Sequence, residues 1–190
     1  MNTPLVNAVL QRRQLPDTIR ARLYGPPRDQ WREHPHYLIS DARALQRNHN
    51  SLKRQARQYH GALTHLINQP DARRDSEENR QLRQTLAHHG RTLLKNLHSH
   101  HGFEDSSVFP VLRLHHPRLQ DAFTLLENDH QALDGLLADI DMAIADVPAF
   151  AATPATLEKA HGQAAQLDAL LHRHMDDEED ILVPIYLASM

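Results

Sequence analysis

The sequence predicts an all-α protein, an antiparallel up-down four-helix bundle with an N-terminal extension. Four long stretches place apolar residues at alternating steps of three and four, the spacing of a helix that packs in a bundle. Leu, Ala, Gln and Arg are abundant, whereas aromatic residues make up only 5% of the chain. This composition favours helix over strand. Polar and proline-containing segments separate the four stretches, so successive helices are expected to run antiparallel.

The chain is expected to divide into an N-terminal arm, residues 1–35, and a bundle domain, residues 36–190. The arm contains several prolines together with Gly25 and Trp31, which suggests a short helix near residues 5–14 followed by irregular structure. The sequence leaves two arrangements open for this arm. It packs on the core, or it pairs with another subunit and so forms a homodimer.

The bundle helices are predicted at about residues 36–68, 76–109, 117–146 and 154–183. Proline sets several of these limits. Pro110 should bend or end the second helix, and Pro117 marks the start of the third. Pro184 falls near the end of the fourth helix.

Polar residues interrupt the apolar seam of each predicted helix, at positions that would otherwise hold Leu or Ile. These residues are His49, His100, Glu104, His130, His174 and Glu178. Their depths in the bundle agree. His49 lies about 20 residues before the first connection and His100 about 25 residues after it, so both are roughly 30–38 Å from that end. The pairs across the other two connections agree similarly, which predicts a single layer.

A buried layer of imidazoles and carboxylates indicates a metal site. An unpaired buried carboxylate costs on the order of several kcal/mol, and no Lys or Arg occupies the matching seam positions. Imidazole suits iron, zinc, copper and nickel, while a carboxylate can bridge two ions. The chain has no cysteine, so thiolate-bound metal and disulfides are excluded. The six seam residues therefore predict a pair of transition-metal ions.

Other histidines and carboxylates have simpler interpretations. His89 and His161 are expected as hydrogen-bonded core residues, since a single seam histidine more often has that role. His161 also lies about 20 Å along the helix from His174, so it is not expected to share the site. In the acidic run 176–180, only Glu178 is expected to face inward.

A ferritin-like site needs Glu-x-x-His on two helices and single glutamates on the others. The pairs Glu127–His130 and Glu158–His161 fit locally, but the first bundle helix carries no glutamate.

Four segments carry a family resemblance over residues 40–187: LQRNHNSLKRQ, LHSHHGFEDSSVFPVL, LENDHQALDGLL and LHRHMDDEEDILVPI. The second contains His-His-x-x-Glu-Asp followed by Phe-Pro, and the fourth contains His-x-x-x-Glu-Glu before a proline. With these motifs the chain resembles the hemerythrin-like family, in particular its HHE cation-binding branch. The resemblance implies an up-down four-helix bundle around a non-haem di-iron centre.

The resemblance also implies roles for the seam residues. Glu104 and Glu178 would bridge two iron ions, with His49 and His100 on one ion and the remaining pair, His130 and His174, on the other. Oxygen-carrying hemerythrins have a second histidine one turn after the third-helix ligand, where this chain has Asp134. Asp134 is left open as a ligand, an outer partner of a ligand, or a solvent-facing residue. The same ligand types serve manganese and zinc, so the metal also stays open.

The expected ligand of such a centre is a small molecule such as dioxygen, peroxide or nitric oxide. Binding, sensing and peroxide decomposition all fit, so the sequence leaves enzymatic activity undecided. Two alternatives remain, a ferritin-like iron oxidase or storage protein and a metal-stabilised regulatory module that uses residues 1–35, with Tyr24 and Trp31, as its surface.

Several function classes are disfavoured by composition. The net charge of −3 gives no general attraction to nucleic acid or to anionic membranes. The sequence contains no run of about 18 apolar residues, and residues 1–10 do not have the pattern of a secretory signal. We therefore expect a cytoplasmic protein that binds neither nucleic acid nor a membrane.

Overall fold

The computed structural model describes residues 3–69, 76–146 and 149–188, and all regular secondary structure in those ranges is helical. The all-α prediction is confirmed. The α-helices are α1 Thr3–Gln11, α2 Asp17–Arg20, α3 Asp41–Ile67, α4 Glu77–Phe103, α5 Phe109–His115, α6 Gln120–Ala145 and α7 Pro154–Ala188. A 3₁₀ helix, Arg28–Glu33, lies in the arm. Within the described ranges, no helix is long and apolar enough to cross a membrane.

Helices α3, α4, α6 and α7 form the bundle. Each packs on two others, α3 against α4 and α7, and α6 against α4 and α7. Leucines at the predicted seam positions fill the interior, among them Leu52, Leu63 and Leu97, which are at most 2% exposed. Burial of this apolar seam supplies most of the stability of long helices in a bundle.

The described part of the arm packs on the bundle. Helix α1 lies against α6 and α7, and Val6 and Val9 join the main core. Further along the arm, Leu15 and Ile19 join a second apolar cluster, and Trp31 is buried beside the end of α7. Of the two arrangements left open, the described part of the arm thus packs on the core of its own chain. The boundary at residue 35 and the homodimer stay predictions.

The second bundle helix continues beyond its predicted end at residue 109. Of the two effects expected of Pro110, a bend or an end, the end is wrong. The helix widens into a π-helical turn, Glu104–Val108, and continues as α5 to His115. Pro110 is the second residue of α5, where the missing N–H is tolerated. The wider turn lies just before Pro110, which has no N–H to donate to the carbonyl four positions earlier.

The last helix also extends further than predicted. Helix α7 continues through Pro184 to Ala188. Pro184 is buried, and Gly25 of the arm packs against it with a positive φ of 67°. A Cβ atom at Gly25 would lie 3.0 Å from the Pro184 Cβ, so a larger residue would separate the arm from the helix.

The prediction for His89 is wrong, because its side chain is exposed. Gly90 takes the inward position instead and packs against Tyr59 and Ile144. A helix of 3.6 residues per turn drifts away from a strict seven-residue repeat, and this drift moves the seam by one residue. His161 is half-buried and is hydrogen-bonded to Thr64 Oγ1 at 3.1 Å.

Candidate metal centre

Two adjacent groups of buried histidines and carboxylates lie in the middle of the bundle. In each group the candidate ligand atoms lie within 4.8 Å of one another. The first group is His49, His100, Glu104 and Glu178, and the second is His101, His130 and His174. All six residues expected from the sequence are present in these groups. Their role as metal ligands stays a prediction.

The two glutamates lie between the groups. Glu178 Oε2 is 3.3 Å from His49 Nε2 and 3.5 Å from His174 Nε2. Glu104 Oε1 is 3.3 Å from His100 Nδ1, and its Oε2 is 3.6 Å from His130 Nε2. Each carboxylate therefore contacts one histidine of either group, which is the position of a carboxylate that bridges two ions.

Distances within the second group suit a shared ion. His130 Nε2 and His174 Nε2 lie 3.2 Å apart. Two imidazoles that bind one metal at about 2.1 Å have nitrogens about 3.0–3.4 Å apart for angles between octahedral and tetrahedral. The His101 ring stacks on His130 with its centroid at 4.2 Å.

Many polar atoms of the centre lack a hydrogen-bond partner within the described ranges. They are His49 Nε2, His100 Nε2, both ring nitrogens of His101, Glu104 Oε2, His174 Nδ1 and both oxygens of Glu178. Buried polar atoms are nearly always paired, because leaving one unpaired costs free energy. Nitrogen and carboxylate donors directed at one interior space fit metal cations, which would satisfy them together.

Three histidines direct the opposite ring nitrogen, Nδ1, toward a carboxylate outside the groups. The pairs are His49 with Glu179 at 3.1 Å, His130 with Asp105 at 2.8 Å and His174 with Asp129 at 3.6 Å. Metal-binding histidines commonly have this arrangement, because the outer carboxylate fixes the tautomer and orients Nε2 toward the ion. The sequence reasoning missed all three carboxylates.

Burial and these contacts shift the pKa values of several groups in the centre. Burial opposes protonation of His49, but the carboxylates of Glu178 and Glu179 outweigh it and raise its pKa to about 9. Burial and the nearby Glu178 raise the pKa of Glu104 well above its ordinary value. Burial lowers the pKa of His100 to about 4, and neighbouring imidazoles add to this effect. A cation bound here would therefore displace protons from His49 and Glu104.

The family model for the hemerythrin HHE cation binding domain matches residues 40–186. The chain belongs to this family. The sequence-based resemblance, drawn over residues 40–187, is thus confirmed. No curated protein and no solved structure matches the chain. The arm precedes the matched HHE region, so the family match does not cover α1 or its packing on the bundle.

This HHE domain gathers five histidines, of which the sequence analysis missed His101. Adjacent residues lie about 100° apart around an α-helix, so the periodicity selected His100 alone. In the bundle the pair separates, with His100 in the first group and His101 in the second. The adjacent histidines in the HSHH segment were the available signal. Asp134 is exposed, so among its three open roles the solvent-facing one holds.

The π-helical turn Glu104–Val108 begins at a residue of the centre. Such turns add one residue to a helical turn and occur frequently at functional sites. In this HHE domain, consecutive residues of the turn serve different histidines. Glu104 lies between the two groups, while Asp105 Oδ1 lies 2.8 Å from His130 Nδ1.

The prediction that Glu178 alone of the acidic run faces inward is wrong. Asp177 and Glu179 are also buried. Helix α7 continues beyond the run, so the carboxylates lie inside the helix and not at its end. Asp177 contacts Arg12 and Arg173, and the second of these contacts spans one helical turn.

The ferritin-like arrangement is not formed. Glu127 is half-exposed and pairs with Arg113 at 2.8 Å, and Glu158 is exposed. Neither carboxylate faces the two groups. Of the two Glu-x-x-His pairs, only His130 contributes to the centre.

A cleft of about 310 Å³ reaches the first group from the surface. His100 and Glu104 form its inner end, and its other walls include Asn48, Phe103 and Tyr186. Burial raises the pKa of Tyr186, and nearby carboxylates add to the effect, so its phenol stays neutral. The second group does not line this cleft.

Proposed function

We propose that this protein is a non-haem di-iron protein that binds dioxygen, peroxide or nitric oxide at the buried centre. One observation carries the proposal. Glu104 and Glu178 each contact one histidine of either group, as bridging carboxylates would. Membership in a cation-binding family supports a metal at this place. The identity of the metal as iron, and the count of two ions, belong to the proposal.

The two ions would be bound by different numbers of histidines. His49 and His100 would bind one ion, and His101, His130 and His174 would bind the other. With both carboxylates shared, the first ion has one histidine fewer and so keeps an open coordination position. When bound, a ferrous pair supplies the electrons and the open position that dioxygen or peroxide chemistry needs.

The protein itself would control which molecules reach the two ions. The cleft ends at His100 and Glu104, on the side of the ion with the open position. Leu45 and Val108 line the same cleft with apolar surface, which would disfavour water there. Tyr186 remains a neutral hydrogen-bond donor there. A small ligand would therefore reach the two-histidine ion through this cleft, while the three-histidine ion stays enclosed.

The alternative of a metal-stabilised interaction module gains little support. Its candidate surface was residues 1–35 with Trp31 and Tyr24. Trp31 is 2% exposed, and the half-buried Tyr24 packs against His116 and Arg118. Both side chains thus contribute to intramolecular packing.

The test measures metal content and the ultraviolet–visible spectrum of full-length protein from iron-supplemented cells, before and after peroxide. We expect about two irons per chain and near-ultraviolet charge-transfer absorption. Glu178→Gln should lose this iron, whereas Glu127→Gln, a carboxylate change outside the centre, should retain it. A folded wild-type protein without metal, or with one zinc on its surface, would overturn the proposal. Loss of iron uptake in Glu127→Gln would instead support the ferritin-like alternative.

A further inference from the structure

We propose that the N-terminal arm positions a ligand of the metal centre: Arg12 holds the carboxylate of Asp129, and this carboxylate orients His174. The inference rests on the proposed metal site. It assigns a role to a segment that lies before the matched family region. Retention of metal by the three-histidine group should therefore depend on a residue of the arm.

Arg12 reaches the bundle interior from the end of α1. Its Nη1 donates to Asp129 Oδ1 at 3.2 Å, and its Nη2 contacts the other oxygen of the same carboxylate. Its Nε donates to Asp177 Oδ2 at 2.7 Å. The Arg12 side chain is only 13% exposed. A guanidinium that binds both oxygens of a carboxylate fixes the plane of that carboxylate as well as its position.

Asp129 connects Arg12 to the centre. Its Oδ2 lies 3.6 Å from His174 Nδ1, while His174 Nε2, across the ring, faces His130 and Glu178. The Asp129 side chain is 3% exposed, so water does not replace a lost partner easily. Without Arg12, the carboxylate could rotate away and His174 would lose the group that orients its ring.

The other ion has a similar connection with more supports. Arg28 of the arm lies 3.3 Å from Glu179 Oε2, and Glu179 Oε1 lies 3.1 Å from His49 Nδ1. However, Gln46 and Lys53 also contact Glu179, at 3.0 and 3.5 Å. Arg28 is 42% exposed, and exposed ion pairs contribute little. The dependence on the arm should thus be strong for Arg12 and weak for Arg28.

The role of Arg12 can be separated from arm docking. Val6 and Val9 bury α1 against the bundle independently of the arginine. Arg22 offers a matched control, because it also joins the arm to α6. It pairs with Asp121 at 2.8 Å, but both side chains are exposed and neither belongs to the two histidine groups.

The experiment loads full-length wild type, Arg12→Ala, Arg12→Lys and Arg22→Ala with Co²⁺ alone. It records stoichiometry, the visible d–d spectrum and the rate of release to a chelator. Removal of a residue that orients a metal-bound histidine typically weakens binding about 10–100-fold. We expect Arg12→Ala to release one of its two ions about tenfold faster, with a changed d–d spectrum. Arg12→Lys should be intermediate, and Arg22→Ala should match wild type.

Each outcome decides the inference. Equal release and spectra in Arg12→Ala and Arg22→Ala would overturn the role of the arm and leave the metal site intact. Wild type that binds no cobalt would overturn the proposed function and this inference with it. Thermal melting of the metal-free variants tests folding. If Arg12→Ala is unfolded, faster release from folded Arg12→Lys supports the role, and unchanged release overturns it.

Discussion

His130 and His174 meet at their Nε2 atoms, 3.2 Å apart, in the middle of the bundle. Each ring directs its other nitrogen, Nδ1, toward a carboxylate, Asp105 for His130 and Asp129 for His174. If both Nδ1 atoms carry the proton, the two Nε2 atoms are lone-pair donors that repel each other. A shared cation would remove this repulsion, which agrees with the proposed role of both residues as ligands of one ion.

His101 should be needed for the second ion. Replacing it with alanine removes one of three imidazoles from that group, and the metal count should fall from about two to about one per chain. Elemental analysis of iron-loaded protein measures this. The control is His98→Ala, since His98 is exposed on the same helix and its Nδ1 faces the Leu94 carbonyl. Equal metal content in both variants would show that His101 is not a ligand.

Glu178 should matter for both ions. Its carboxylate contacts His49 and His174, so Glu178→Gln removes the shared negative charge. We expect loss of both ions, whereas Glu179→Gln should weaken mainly the ion at His49, whose Nδ1 it faces. Metal titration by calorimetry distinguishes the two patterns. A Glu178→Gln protein that keeps one tightly bound ion would contradict the bridging position.

Two buried histidines should give the stability of the metal-free protein opposite pH dependences. The lowered pKa of His100, about 4, means that its imidazole binds more protons in the unfolded chain between pH 4 and 6.5, so its contribution to stability rises with pH there. The raised pKa of His49, about 9, has the opposite sign, so its contribution falls between pH 6.5 and 9. The raised pKa of Glu104 acts in the same direction as that of His49. Urea unfolding across this range measures the profile, and His49→Gln should reduce the decline above pH 6.5.

Metal affinity should rise between about pH 6.5 and 9, the interval over which the raised pKa of His49 acts. Below about pH 9 a bound ion must displace the His49 proton, and the raised pKa of Glu104 acts in the same direction. We therefore expect the apparent Co²⁺ affinity to increase from pH 6.5 to 9 and the increase to weaken above that range. An affinity independent of pH would indicate that the ion does not bind at His49.

The cleft should control access to the first ion. Ala44 is exposed and lines the cleft, so Ala44→Trp should cover it and slow the reaction of the iron-loaded protein with peroxide. Metal content should not change. Arg47→Trp is the control, because Arg47 is exposed on the same helix without lining the cleft. Stopped-flow absorbance measures both rates, and equal rates would argue for another route.

Sequence patterns were sufficient to predict the all-α fold and six of the seven residues in the two groups. Helical periodicity depends on residues three and four apart, so a histidine in place of a seam leucine shows in the pattern directly. The rise per residue then gave the common depth of His49, His100, His130 and His174. The same local rules also placed the helix starts near Glu77 and Pro154, whereas the first bundle helix begins at Asp41 and not at about residue 36 as predicted.

Tertiary structure alone decided which further groups surround the centre. Arg12 and Asp129 are 117 positions apart, and no helical period relates an arm to a bundle helix. His101, next to His100, joined the centre because α6 packs beside α4 and presents His130 to it. Asp177 was expected to be solvated from composition, but it is buried and pairs with Arg12, the residue that follows α1. Burial and charge pairing depend on what packs opposite a residue, and a pattern read along one helix does not contain that information.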